Sequence, residues 1–101
     1  MLLPIGPDTP PPTAAYLVPW LIVRDDRAHP GVVNIGRDPV DFVRVFHHTL
    51  EAAVVTELWG QMLPGERVDL CLCDADVDDV VVTLAWFRQA DGLEYVWRFV
   101  V

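Results

Sequence analysis

Along the C-terminal half of the chain, apolar and polar positions alternate with the period of a β-strand. From Val68 to Cys73, Val68, Leu70 and Leu72 fall on one face and Asp69, Cys71 and Cys73 on the other. From Leu93 to Val101, Leu93, Tyr95, Trp97, Phe99 and Val101 oppose Glu94 and Arg98. Between these two runs, Val80 to Arg88 is apolar on both faces, the pattern of a central strand covered on both sides. Gln89-Ala-Asp-Gly92 is a good hairpin connection into the last run.

The N-terminal half is less regular. The apolar run from Ala15 to Val23 is expected to be a strand, with Pro19 at an edge or bulge because proline cannot donate to a ladder. Arg24 to Gly31 has turn composition and Val32 to Ile35 reads as a short second strand, so the two runs predict a hairpin. Asp38-Pro39 supplies an acidic N-cap and a proline at the first helical position, with Asp41 close to the positive end of the dipole. A helix is predicted from there to about Met62, stopped by Leu63-Pro-Gly65. Its inner stripe would be Phe42, Val43, Phe46, Leu50, Ala53 and Val54, with Asp41, Arg44, His48 and Glu51 in water.

The predicted fold is therefore α+β: an antiparallel sheet of about five strands, in the order β-β-α-β-β-β, with one long helix packed on one face. Residues 1–14 hold five of the nine prolines and are expected to form an extended arm, leaving 15–101 as a single domain.

The helical phase does not hold to the end. Beyond Val54 the inner stripe becomes Glu57 and Gln61, and the outer one becomes Val55, Leu58, Trp59 and Met62. Either the helix breaks there and turns these residues inward, or a straight helix presents them to a partner. On the second alternative Val55, Leu58, Trp59 and Met62 form a partner-binding patch with Trp59 as its anchor.

Composition narrows the chemistry. With 52% hydrophobic residues the chain is globular in type, and 101 residues suffice for one core and one site. It contains no serine, which removes Ser-His-Asp catalysis, and no lysine. Its seven basic residues are all arginine, the mark of a GC-rich bacterial coding bias. A formal net charge of −8 disfavours direct binding to a nucleic-acid backbone, which depends on Lys and Arg displacing counterions. The plain account of that charge is solubility. No apolar run reaches the ~20 residues needed to cross a membrane, and no basic leader precedes the apolar start, so a cytoplasmic location is expected.

The segment Cys71-Leu-Cys-Asp-Ala-Asp-Val-Asp-Asp79 concentrates the candidate chemistry. Asp74, Asp76 and Asp78 match the first ligand positions of a calcium loop, but its required glycine and closing glutamate are replaced by Asp79 and Ala85. Zinc would need Cys71 and Cys73 to meet His47 or His48. On a flat strand two such thiols sit ~6–7 Å apart, too far for one tetrahedral ion, although a CxC pair in a loop chelates well. Small thiols packed as hydrophobes are the plainer expectation. Asp74, Asp76, Asp78 and Asp79 are then an acidic patch on a turn, suited to a basic surface. No metal, cofactor or catalytic constellation is expected. The function indicated is a non-enzymatic protein-interaction module of adaptor, inhibitor or immunity type, most simply a homodimer. The alternative is a small-molecule binder or small enzyme using His47, His48, Cys71 and Cys73 between helix and sheet.

Overall fold

A computed structural model describes residues 18–49, 54–73 and 76–101. The proposed arm at 1–14, part of the inner stripe (Leu50 and Ala53), Glu51 and Asp74 lie outside these residues. Among the described residues seven strands follow in order: β1 (Trp20–Val23), β2 (Gly31–Asn34), β3 (Val40–His48), β4 (Val55–Met62), β5 (Arg67–Asp69), β6 (Val81–Arg88) and β7 (Glu94–Val100), with a 3-10 turn at Val77–Asp79. They form two antiparallel sheets, β1-β2-β5 and β4-β3-β6-β7. The first, second and fifth strands thus make one sheet and the third, fourth, sixth and seventh the other.

The expected α+β fold is thus corrected to an all-β sandwich. The span from Asp38 to Met62, expected as one helix, contributes strands β3 and β4, which pair antiparallel. The physical reason lies in two bulges. Between the pairs Val40↔Met62 and Val43↔Gly60, β3 advances three residues while β4 advances two; between Val43↔Gly60 and Arg44↔Leu58, β4 carries the extra residue. The first bulge holds Phe42 at a φ of 52°, and the second places Gly60 at 77°, where glycine escapes the Cβ clash. Each inserts a three-residue interval between inward residues, Val40 to Val43 and Trp59 to Met62, and so imitates helical spacing. The change of phase near Val54 is the approach to β4 after the chain reverses. Local composition favours this outcome, since Val40, Val43, Val45, Phe42 and Phe46 suit a pleated surface better than a helix.

The other elements follow the alternation closely. β1 and β2 form the expected hairpin, and β6 and β7 pair in unbroken register from Val81↔Val100 to Phe87↔Glu94. The core lies between the sheets, with Trp20 and Val32 on one side and Val43, Val45, Val82, Leu84, Trp86 and Phe99 on the other. Trp20 and Trp86 meet across it edge to face, ring centroids 5.4 Å apart, and Trp86 stacks on Tyr95 at 6.1 Å.

Asn34 is the buried polar residue that ties the two sheets together. Its Nδ2 donates to the carbonyls of Met62 and Asp38, both at 3.1 Å, and its Oδ1 accepts from Gly36 N at 2.9 Å. Burial without those partners would cost about 1–3 kcal/mol for each group left unpaired, so the network fixes how the end of β2 meets the end of β4.

Candidate functional site

Two features stand apart from the core: the outer face of the four-stranded sheet, and a thiol–imidazole corner at one end of the smaller sheet.

Strand register defines the outer face. Arg44, Phe46 and His48 on β3 stand beside Ala85, Thr83 and Val81 on β6, and these beside Val96, Arg98 and Val100 on β7. Leu58 and Thr56 on β4 extend it past Arg44 and Phe46. A sheet face in water normally carries the polar half of an alternating pattern. Here it is largely apolar, with Phe42, Leu58, Val96 and Val100 all about half exposed or more. Phe42 packs beside Phe87, and the Arg44 guanidinium lies over both rings, 4.6 Å and 5.6 Å from their centroids, while also pairing with Glu94. Arg98 Nε donates to Thr83 Oγ1 at 3.3 Å.

The residues of the expected partner-binding patch separate. Leu58 is on this outer face at 63% exposure, and Val55 is exposed near the start of β4. Trp59 packs against the core, its Nε1 donating to Glu57 Oε1, and Met62 is fully buried. Phe42, Val96 and Val100 had no place in that patch. Signals for them were present in the two-sided apolarity of β6 and in Val96 and Val100, the apolar residues among the polar positions of the last strand.

The second feature joins two loops. Leu70 N donates to Pro30 O at 2.9 Å and Leu72 N to Ala28 O at 2.7 Å, so the chain beyond β5 runs alongside the β1–β2 loop. Leu70 and Leu72 point into the core, and Cys71 and Cys73 point out beside His29. The faces are those the alternation predicts, but the spacing is not that of a flat strand. β5 ends at Asp69, and past it the two thiols, not joined as a disulfide, converge, their Sγ atoms 2.6 Å apart. Both are exposed, so the expectation of packed thiols is corrected too. Cys73 Sγ lies 3.0 Å from His29 Nε2, and His29 Nδ1 is 2.9 Å from Asp26 Oδ2. The other oxygen of Asp26 accepts from Ala28 N at 3.0 Å, which holds the carboxylate in place.

The electrostatics are mutual. The hydrogen bond to Asp26 raises the pKa of His29, and the same bond lowers that of Asp26. Cys71 is lowered, first by hydrogen bonding to Cys73 and further by His29. His29 is the residue missed in the sequence. It sits in a turn-rich stretch 42 residues before Cys71, and only the pairing of the two loops brings it to the thiols.

His47 and His48 do not join them. His47 faces the inner side, 3.9 Å from Glu57, and His48 stands beside Val81 on the outer face. Of the acidic patch, Asp76 caps the 3-10 turn through Asp78 N, and Asp78 pairs with Arg27 at 2.9 Å; Asp79 is exposed. A cleft of about 650 Å³ opens at the opposite end of β1 from the thiols, between Pro19, Arg37, Pro39 and Arg88.

Among the described residues no helix is long and apolar enough to cross a membrane. No family model, curated protein or solved structure matches the chain.

Proposed function

We propose that this chain is a protein-interaction module that pairs with a second copy of itself through the outer face of the β4-β3-β6-β7 sheet. The observation that carries the reading is β6. Its inner residues fill the core, yet three of its four outer residues, Val81, Ala85 and Phe87, are also apolar, with Thr83 the exception, and Leu58, Phe42, Val96 and Val100 lie on the same side of the sheet. Large apolar patches on a small protein mark contact surfaces.

Size and charge favour a second copy as the occupant. Four strands ~4.8 Å apart and about eight residues long give a footprint of roughly 19 by 26 Å, which with side-chain relief approaches the ~800 Å² per partner of a standard interface. A second copy brings an equally apolar face, and two such sheets can pack about 10 Å apart as the layers of a sandwich do. The chain as a whole carries −8, which opposes self-association. The face itself is balanced, since Arg44 and Arg98 offset Glu94 and, at the rim, Asp41. As part of the same proposal the protein resides in the cytoplasm, where reducing conditions keep Cys71 and Cys73 as thiols.

Sedimentation velocity over a range of concentrations tests the pairing. The parent protein should sediment as a reversible dimer, and added salt should tighten it by screening the two like net charges. The double variant Leu58→Lys/Val96→Lys should remain folded and monomeric. A parent that stays monomeric at high concentration, or a double variant that associates as tightly as the parent, overturns the proposal.

A further inference from the structure

The corner formed by His29, Cys71 and Cys73 has a donor set of different meaning from the sheet face. We propose that these three residues bind one zinc ion, with Asp26 as the positioning residue of the imidazole and a fourth ligand position left open to water or to a donor from another molecule.

Three observations converge on this site. The donor set is two thiols and one imidazole, a combination that selects zinc over the hard oxygen-seeking cations. All the donor atoms lie within 4.8 Å of one another, close enough to share one ion. The imidazole is already oriented: Asp26 Oδ2 holds Nδ1, which leaves Nε2 facing Cys73 Sγ. A carboxylate behind a ligating histidine fixes the tautomer and strengthens the ligand.

The movement required is small. Zinc takes sulfur at ~2.3 Å and imidazole nitrogen at ~2.0–2.1 Å, so in a tetrahedron the sulfurs stand about 3.8 Å apart and each about 3.6 Å from the nitrogen. Binding would therefore part the sulfurs by about 1 Å from their present separation and draw the nitrogen and Cys73 Sγ apart by about half that. The three side chains are exposed, and Cys71 and Cys73 lie beyond the end of β5, so this shift leaves the ladder intact. The objection that thiols two apart on a strand cannot share an ion does not apply to a CxC pair past the strand's end.

A Cys-His-Asp nucleophile would also use Cys73, His29 and Asp26, but it has no use for a second thiol in contact with the first. A metal site does. Binding exchanges two thiol protons for the ion and changes no oxidation state.

The test is cobalt(II) titration of the reduced, metal-free protein, followed by addition of zinc. One equivalent of cobalt should give a thiolate-to-cobalt charge-transfer band with the intense visible bands of a tetrahedral site, and one equivalent of zinc should abolish both. Cys71→Ser and Cys73→Ser should each remove most of the charge-transfer intensity. Asp26→Asn should weaken affinity by about 10–100-fold while the band shape persists, which a merely structural role for Asp26 would not produce. Circular dichroism on each variant confirms that the fold is kept. The proposal is overturned if the folded parent gives no charge-transfer band, if His29→Ala binds as tightly as the parent, or if mass spectrometry of protein freshly isolated with thiols blocked shows a Cys71–Cys73 disulfide.

Discussion

Replacing Trp86 by alanine is expected to bring the domain to the edge of unfolding. Trp86 is fully buried, meets Trp20 edge to face from the opposite sheet, and stacks on Tyr95 of the neighbouring strand. Removing its ring leaves a cavity between the two sheets, where it meets Trp20. Trp→Ala changes of this kind cost about 3–5 kcal/mol, against a total of about 5–15 kcal/mol for a domain of this size. In urea, with a slope of about 1–3 kcal/mol per molar, the midpoint should fall by about 2 M. Trp97→Ala is the internal comparison. Trp97 is only partly buried at the flank of the core, beside Phe99 at 5.3 Å, and its removal should cost clearly less.

The pair Leu58→Lys and Met62→Lys should give opposite results, because β4 carries a bulge between the two positions. On a helix they would be four residues apart on one face and would respond alike. In the sandwich Leu58 is 63% exposed on the outer face while Met62 is fully buried, its carbonyl held by Asn34. Leu58→Lys should change the stability of the isolated domain by no more than about 0.5 kcal/mol. Met62→Lys would bury an unpaired ammonium, or force the strand end to open, and should unfold the domain or abolish its expression. Thermal melting of the two variants side by side decides it. Equal tolerance at both positions would contradict the register of β3 with β4.

That register also explains what was legible before the structure. Where strands are regular the local pattern suffices: β7 and the inward faces of Val68, Leu70 and Leu72 follow from a period of two, β6 from a run apolar on both faces, and the β1–β2 hairpin from two apolar runs around a turn. It fails over Val40 to Met62 because two bulges shift the period by one residue each. The resulting three-residue intervals, combined with Asp38-Pro39 as an apparent helix start, look like one amphipathic helix. β-branched and aromatic density was the countervailing signal. The outer face was half legible. Leu58 belonged to the expected patch, but Phe42, Val96 and Val100 become its neighbours only through strand pairing. The thiol corner was legible as CxC and no further, since His29 reaches it through a pairing of loops that no local pattern encodes. In the acidic turn Arg27 already partners Asp78, a contact that no local pattern announces.

The central claim, that the outer face of the four-stranded sheet is covered by a second copy, is tested most directly by methyl NMR with a soluble paramagnetic probe. Spectra would be recorded below and above the concentration at which the protein associates. The account predicts that the methyls of Leu58, Val96 and Val100 are relaxed by the probe in the dilute sample and shielded in the concentrated one. Leu21 and Ile35, exposed on the smaller sheet and its following loop, should remain accessible in both. Unchanged relaxation of Leu58, Val96 and Val100 across the two samples, or shielding of Leu21 and Ile35 in their place, would contradict it.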